Sequence, residues 1–210
     1  MESIWEQFLT GLLQTSALEF IAVITGIASV VYSRKENILL YPVGLVSTTI
    51  FIYLSVKGHL YGEASVNLYY TIMSIYGWWL WAKKTPDHRP ELSITQSNRR
   101  EWLNQILFFL FFYVVLYLCL TWLKKEFAPE AIPWADAFAS ASAYTGMWLM
   151  ARKKVESWYW WILTDIASVP LYFSKGYVFT GFQFLILTLL AISGLQSWKH
   201  KSLSSKLPTE

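Results

Sequence analysis

Apolar residues fall along this chain in seven long runs, each closed by a short charged or turn-forming break. The runs cover about Ala17 to Ser33, Asn37 to Val56, Glu63 to Lys84, Trp102 to Leu123, Pro133 to Ala151, Ser157 to Ser174 and Tyr177 to Trp198. Each approaches the roughly 20 residues that a helix, rising about 1.5 Å per residue, needs to cross the hydrocarbon core of a bilayer. The pattern predicts an all-α, polytopic membrane protein with seven transmembrane helices. Residues 1–16 read as an amphiphilic lead-in, 85–101 as a polar linker with two prolines, and 199–210 as a polar, mobile tail.

The third run differs from its neighbours because its polar positions are ordered. Glu63, Asn67, Tyr70, Ser74, Gly77, Trp78 and Trp81 recur three or four apart, so they share one side of a helix, while Val66, Ile72, Met73, Ile75 and Leu80 fill most of the rest. A carboxamide, aromatic polar groups and a glycine along one line suit a pocket or another helix better than lipid. Asn67 in particular needs a hydrogen-bonding partner at that depth.

Composition agrees. The 210 residues are 55% hydrophobic, 18% aromatic and only 15% charged, more apolar than a soluble domain of this size needs, and the long runs do not alternate as β-barrel strands do. The opening MESIWEQF is acidic where a cleavable leader is basic, so the first span is expected to stay in place. Cys119 stands alone, and His59, His88 and His200 share no ligand spacing, which leaves no basis for a metal site or cofactor. A net charge of +3 gives no reason to expect nucleic-acid binding. The chain offers no nucleophile with a base and no closely spaced carboxylate pair, which argues against an enzyme.

Charge distribution selects a topology. Thirteen of the seventeen Lys and Arg lie between the first and second, third and fourth, and fifth and sixth runs or after the seventh. Basic loops stay in the cytoplasm, so the N-terminus is expected outside and the C-terminus inside. An internal repeat points the same way. Arg34-Lys35 returns 118 residues later as Arg152-Lys153, and Lys57-Gly58 as Lys175-Gly176; Glu19 with Asp136, Gly77 with Gly194 and Trp81 with Trp198 match at 117. Two three-helix bundles, parallel in the membrane, need one inverting helix between them. That gives a 3+1+3 arrangement: 1–84 with the first bundle, 85–132 with the linker helix at about 102–123, 133–198 as the second bundle and 199–210 as the tail. Such repeats place a substrate site near mid-membrane between the halves.

Three segments carry a resemblance: Asn67 followed by YGWWxW (Tyr76–Trp81), DxxSxPLYxxKG (Asp165–Gly176) and TxxxF with LAIxGxxxW (Thr180–Trp198). With these, the chain from about Glu19 to Lys199 resembles the PnuC family of vitamin transporters, whose members are similar to SWEET sugar transporters in pairing three-helix bundles through a linker helix. The resemblance implies a trimer in a bacterial inner membrane. It also implies uptake of nicotinamide riboside by facilitated diffusion, with a cytoplasmic kinase trapping the product as a phosphate. Relatives carry thiamine or riboflavin, so thiamine, another vitamin or a sugar is the alternative cargo, and an ion-coupled transporter or a membrane scaffold are the more distant alternatives.

Nicotinamide riboside offers a cationic pyridinium ring, a carboxamide and ribose hydroxyls. Aromatic faces hold a cation at about 0.5–2 kcal/mol, and carboxamides exchange hydrogen bonds without adding charge that would slow release. The substrate-binding candidates are Asn67, Tyr70, Gln183, Thr180, Trp78 and Asp165. Trp81 and Trp198 are candidates for stacking or an inner gate, although both also fit an interfacial belt. Asp165 either attracts the pyridinium, pairs with a neighbouring helix or is neutralised. Pro170 frees the carbonyl of Ile166 and is a candidate hinge. Glu19 and Asp136 are expected to stabilise helix starts.

Overall fold

The structure is a computed structural model that describes residues 4–57, 61–88, 90–126, 132–174 and 176–204. Among these residues it forms eight α-helices: α1 Ile4–Gln14, α2 Ala17–Arg34, α3 Leu40–Lys57, α4 Tyr61–Ala82, α5 Arg99–Glu126, α6 Pro133–Ala151, α7 Ser157–Ser174 and α8 Val178–Ser204. Helices α2 to α8 take up the seven apolar runs, and α1 adds an eighth inside the expected lead-in. Eleven residues are too few for a stable isolated helix. Packing holds α1 instead: Phe8 meets Phe179 and Phe182 of α8, and Gly11 lets α1 close on Phe179.

Helix starts follow local chemistry. Ser16 caps α2, its hydroxyl accepting from Glu19 N–H at 3.2 Å. Asn98 and Glu101 form a reciprocal box at the start of α5, with both hydrogen bonds at 2.9 Å. Pro133 opens α6, where a missing N–H costs nothing, and Asp136 accepts from Ile132 N–H at 2.7 Å. Helix α7 continues through Pro170 to Ser174.

Packing runs α2–α3–α4–α6–α7–α8 and back to α2, closing a ring of six, with α5 outside against α6 and α1 outside against α8. Four of the helices (α2, α3, α5 and α8) are long and apolar enough to cross a membrane by length and composition. Helix α1 is too short at 11 residues, and α4, α6 and α7 carry more polar and small residues, among them Glu63, Asn67, Asp136 and Asp165. Helix α6, with ASASAYTG at its centre, is the most enclosed of the eight, since small residues let α4, α5 and α7 approach closely. Large apolar side chains cover the outside of α5, among them Leu103, Leu107, Phe111, Leu118 and Trp122. Its inward exception is Gln105, which donates to Ser97 Oγ at 2.8 Å and accepts from Trp160 Nε1 at 3.1 Å.

The repeat is structural, and its register is 117 throughout. Helices α2 and α6 end at Arg34 and Ala151, and the equivalent residues Glu36 and Lys153 both adopt positive φ, +60° and +52°. The match of Arg34-Lys35 to Arg152-Lys153 at 118 is therefore corrected by one residue: Lys35 pairs with Arg152. Gly58, His59 and Lys175 lie outside the described residues. Ser47 Oγ donates to Ala22 O at 2.7 Å, and Thr164 Oγ1 makes the equivalent, longer contact to Ala139 O at 3.5 Å. Gly77 lies against Tyr41, and its equivalent Gly194 against Trp158.

The polar linker and the start of the expected mobile tail are both docked. The 85–101 linker buries Ile94 in the core with Trp81, Trp158 and Trp198. It also pairs with the α6–α7 turn through Thr95 N–H to Lys153 O and Val155 N–H to Thr95 O, at 3.1 and 3.0 Å. The tail does not begin at residue 199, because α8 continues to Ser204, and Ser202 is buried and accepts from Gln96 Nε2 at 3.1 Å.

Candidate functional site

The four charged segments that the sequence assigns to one side do meet at one end of the ring. There, equivalent residues of the two halves touch each other. Ser33 Oγ contacts Met150 Sδ at 2.9 Å, Glu36 pairs with Lys153 at 2.9 Å, and the rings of Trp81 and Trp198 lie 6.2 Å apart. A residue that touches its own equivalent lies on the axis relating them, so this end is closed on a pseudo-two-fold axis. Reciprocal bonds across the seams tighten it. Trp81 Nε1 donates to Ala151 O, and Trp198 Nε1 to Ser33 O, both at 3.1 Å. Trp198 is 0% exposed and Trp81 7%. Neither is therefore an interfacial-belt residue, since a belt residue presents its ring to the lipid boundary. Each indole N–H bonds a helix-end carbonyl of the opposite half; Ser33 O also accepts from Glu36 N–H at 2.9 Å.

Charge adds to the closure. Glu36 binds Lys201 at 3.1 Å as well as Lys153, and the Lys153 ammonium lies 4.6 Å from the centre of the Trp81 ring. Burial opposes ionisation of Glu36, but the hydrogen bonds and charges of Lys153 and Lys201 outweigh it and hold the carboxyl below its ordinary value of 4.5. A lowered value in the folded state stabilises the fold above the ordinary value and is lost as pH falls through the folded one. Glu36→Gln is expected to cost about 1–2 kcal/mol at neutral pH. The difference in thermal unfolding between variant and wild type in detergent should shrink steadily below about pH 4.5. A difference that stays constant on acidification would contradict this role for the pair.

Farther from the charged end, the α4–α6 seam is aromatic. Tyr69 stacks on Tyr144 at 4.0 Å, and its hydroxyl donates to the Tyr144 carbonyl at 3.0 Å. Tyr70 lies 6.4 Å from Tyr144 and 6.0 Å from Trp161 of α7. Trp161 packs over Gly146, where any side chain would press on the indole. One turn along α7 from Trp161, on the same face, is Asp165, then Ser168 and Tyr172. Asp165 lies within electrostatic reach of Tyr70.

The candidate residues are distributed around this seam. Asn67 is half-buried one turn before Tyr70; its Nδ2 donates to Glu63 O at 3.0 Å, and among the described residues its Oδ1 has no partner. Gln183 and Thr180 are half-buried on α8, with side chains that make no hydrogen bond among the described residues. Trp78 is 40% exposed and stands apart from the ring cluster, so the structure does not bring it into the seam. Pro170 is exposed on α7, five residues beyond Asp165.

The sequence pattern did not single out Tyr69, Tyr144, Trp161 or Tyr172. The repeat holds the signal that finds them. In the 117 register, Tyr69 and Tyr70 stand opposite Ile186 and Leu187, Tyr144 opposite Ile27, Trp161 opposite Gly44 and Asp165 opposite Thr48. The frame is symmetric, while the aromatic and acidic groups belong to one seam only.

A closed end on the axis, and a polar, ring-lined seam between two equivalent halves, define the class as a small-molecule transporter of the membrane. Residues 16–200 match the nicotinamide mononucleotide transporter family, and the chain belongs to it. The nicotinamide riboside transporter PnuC of Escherichia coli is 26% identical over 203 residues, covering 87% of this chain and 85% of that protein. The riboflavin/roseoflavin transporter RibM of Streptomyces davaonensis is 25% identical over 189 residues, covering 88% and 85%. A crystal structure described as the vitamin B3 transporter PnuC shares the fold, with a TM-score of 0.71 at 22% identity, covering 96% of this chain and 88% of that one.

Proposed function

We propose that this chain carries nicotinamide riboside across a bacterial inner membrane by facilitated diffusion. The observation that carries this reading is the family match over residues 16–200, with a curated relative that is a nicotinamide riboside transporter. Helices α2 to α8 serve as the seven spans in a 3+1+3 arrangement. Segment 1–84 holds the first bundle, 85–132 the linker and linker helix α5, and 133–198 the second bundle, followed by 199–210. The basic end faces the cytoplasm and the N-terminus lies outside, in keeping with the gathering of the basic segments at one end. The transporter works as a homotrimer. A cytoplasmic kinase phosphorylates the entering nucleoside and so keeps the gradient inward.

In this reading the pyridinium ring stacks among Tyr70 and its neighbouring rings. Asn67 and Gln183, with Thr180, bind the carboxamide and ribose hydroxyls. Trp81 and Trp198 form the inner gate, and Pro170 supplies a hinge because it leaves the Ile166 carbonyl without its helical donor. Vesicles containing the purified protein and no kinase should equilibrate labelled nicotinamide riboside without accumulating it. Asn67→Ala and Gln183→Ala should each weaken binding about tenfold, the value of one lost hydrogen bond near 1.4 kcal/mol. Unchanged affinity in both variants would remove these residues from the site. Accumulation driven by a proton or sodium gradient would replace facilitated diffusion with coupling at Asp165 or Glu63. RibM, at similar identity and coverage, supports riboflavin as the second reading. Competition between the two vitamins in the same vesicles decides between them.

A further inference from the structure

Asp165 is the one carboxylate buried at mid-length in a described helix, 4% exposed, and no group among the described residues hydrogen-bonds it. Its neighbourhood explains why it has none. The equivalent residue in the first half is Thr48, whose hydroxyl meets Thr71 Oγ1 at 2.8 Å. The residue equivalent to Thr71 is Thr188, which bonds Phe184 O of its own helix at 2.8 Å, as Thr71 also bonds Asn67 O at 2.9 Å, but makes no hydrogen bond to Asp165 among the described residues. Where the first half has a satisfied hydroxyl pair, the second has a lone acid. An unpaired carboxylate in a low-dielectric interior is costly, so a fold that keeps one has a counter-charge to offer it. No Lys, Arg or His of the chain lies in α7 or in the enclosed centre of α6. A cationic ligand in the seam would supply that counter-charge.

The surroundings fit one kind of cation. Trp161 lies one turn before Asp165 on the same face, with Tyr70 and Tyr144 beside it, so the acid borders a cluster of flat rings. Flat rings with a carboxylate at their edge recognise a planar cation rather than a metal ion, because the ring faces hold the cation while the carboxylate balances it. The approach is acidic as well. Tyr172, seven residues or about 10 Å farther along α7, lies within electrostatic reach of Glu63 and Asp136, at the starts of α4 and α6.

We infer that Asp165 is the specificity-determining residue that reads charge: it selects nucleosides whose ring carries a fixed positive charge over neutral rings of the same shape. This rests on the reading that the α4–α6–α7 seam binds a vitamin-derived nucleoside. Nicotinamide riboside and its dihydro form differ by a hydride, which removes the ring charge while keeping the carboxamide and sugar. Purified protein titrated with both should bind the cation about tenfold more tightly or better, since one such charge contact is worth roughly 1.4 kcal/mol or more. Asp165→Asn should lose that preference while its affinity for the dihydro form stays within about twofold, and Asp165→Glu should retain it. The ratio is taken within one preparation, so a loss of folded protein cancels. Equal wild-type affinities, or an Asn variant that keeps the preference or weakens both ligands alike, would overturn this assignment alone. Wild-type protein that binds neither ligand would overturn it together with the transport reading.

Discussion

Gly194→Ala is expected to destabilise the protein by about 1–3 kcal/mol, as is Gly77→Ala, whereas Gly44→Ala should be close to neutral. The single added methyl decides the outcome. At Gly194 it would be driven into the ring of Trp158, and at Gly77 into the ring and hydroxyl of Tyr41. Both aromatics are fully enclosed, so neither can swing aside, and close-packed interiors absorb added volume only by strain. At Gly44 the nearest atom is Ser29 Cβ at 3.5 Å, ordinary contact distance. Thermal unfolding in one detergent would rank the three. Equal midpoints for Gly194→Ala and Gly44→Ala would show that the close approach of α7 and α8 at Trp158 does not limit stability.

Trp198→Ala carries the larger effect. It removes a fully buried indole at about 3–5 kcal/mol and takes one of its two donors from the Ser33 carbonyl, leaving Glu36 N–H. It also deprives Trp81 and Trp158 of their shared ring contact. Trp198→Phe refills much of the volume but leaves the Ser33 carbonyl with only its bond from Glu36 N–H, so it should recover most but not all of the lost stability. Because Trp198 bridges the two halves, its loss should loosen the charged end more than the body of either half. A Phe variant as unstable as the Ala variant would assign the effect to the hydrogen bond alone.

The helices were legible because the physics that makes them is local. A run of apolar residues closed by Arg34-Lys35-Glu36, or opened by Pro133 and Asp136, fixes a helix to within a few residues. The pairing of Trp81 with Trp198 was legible as well, since the two sit in matched positions at matched helix ends. Other features depended on partners distant in sequence. Helix α1 exists through Phe8 and Gly11 against α8, and the last turns of α8 through Gln96 reaching Ser202. The linker reads as polar and proline-containing. Yet Ile94 and the backbone of Thr95 tie it to the α6–α7 turn, contacts no local pattern encodes. Tyr144 and Trp161 were hidden because an aromatic in an apolar run reads alike whether it faces lipid or a neighbouring helix. Only the register of the repeat, with Ile27 and Gly44 in their places, separates the two.

The account depends on the charged end being shut around the axis and parting when substrate passes. Met150, which touches its equivalent Ser33 there and is 4% exposed, reports this directly. With Cys119→Ser to remove the exposed native thiol, a Met150→Cys protein in vesicles is treated with an impermeant maleimide from the charged side. Labelling should be slow without substrate, at least about tenfold faster with saturating nicotinamide riboside, as an opening worth about 1.4 kcal/mol requires, and fast without substrate once Trp198→Ala is added. Labelling at one rate in all three conditions would contradict the gate.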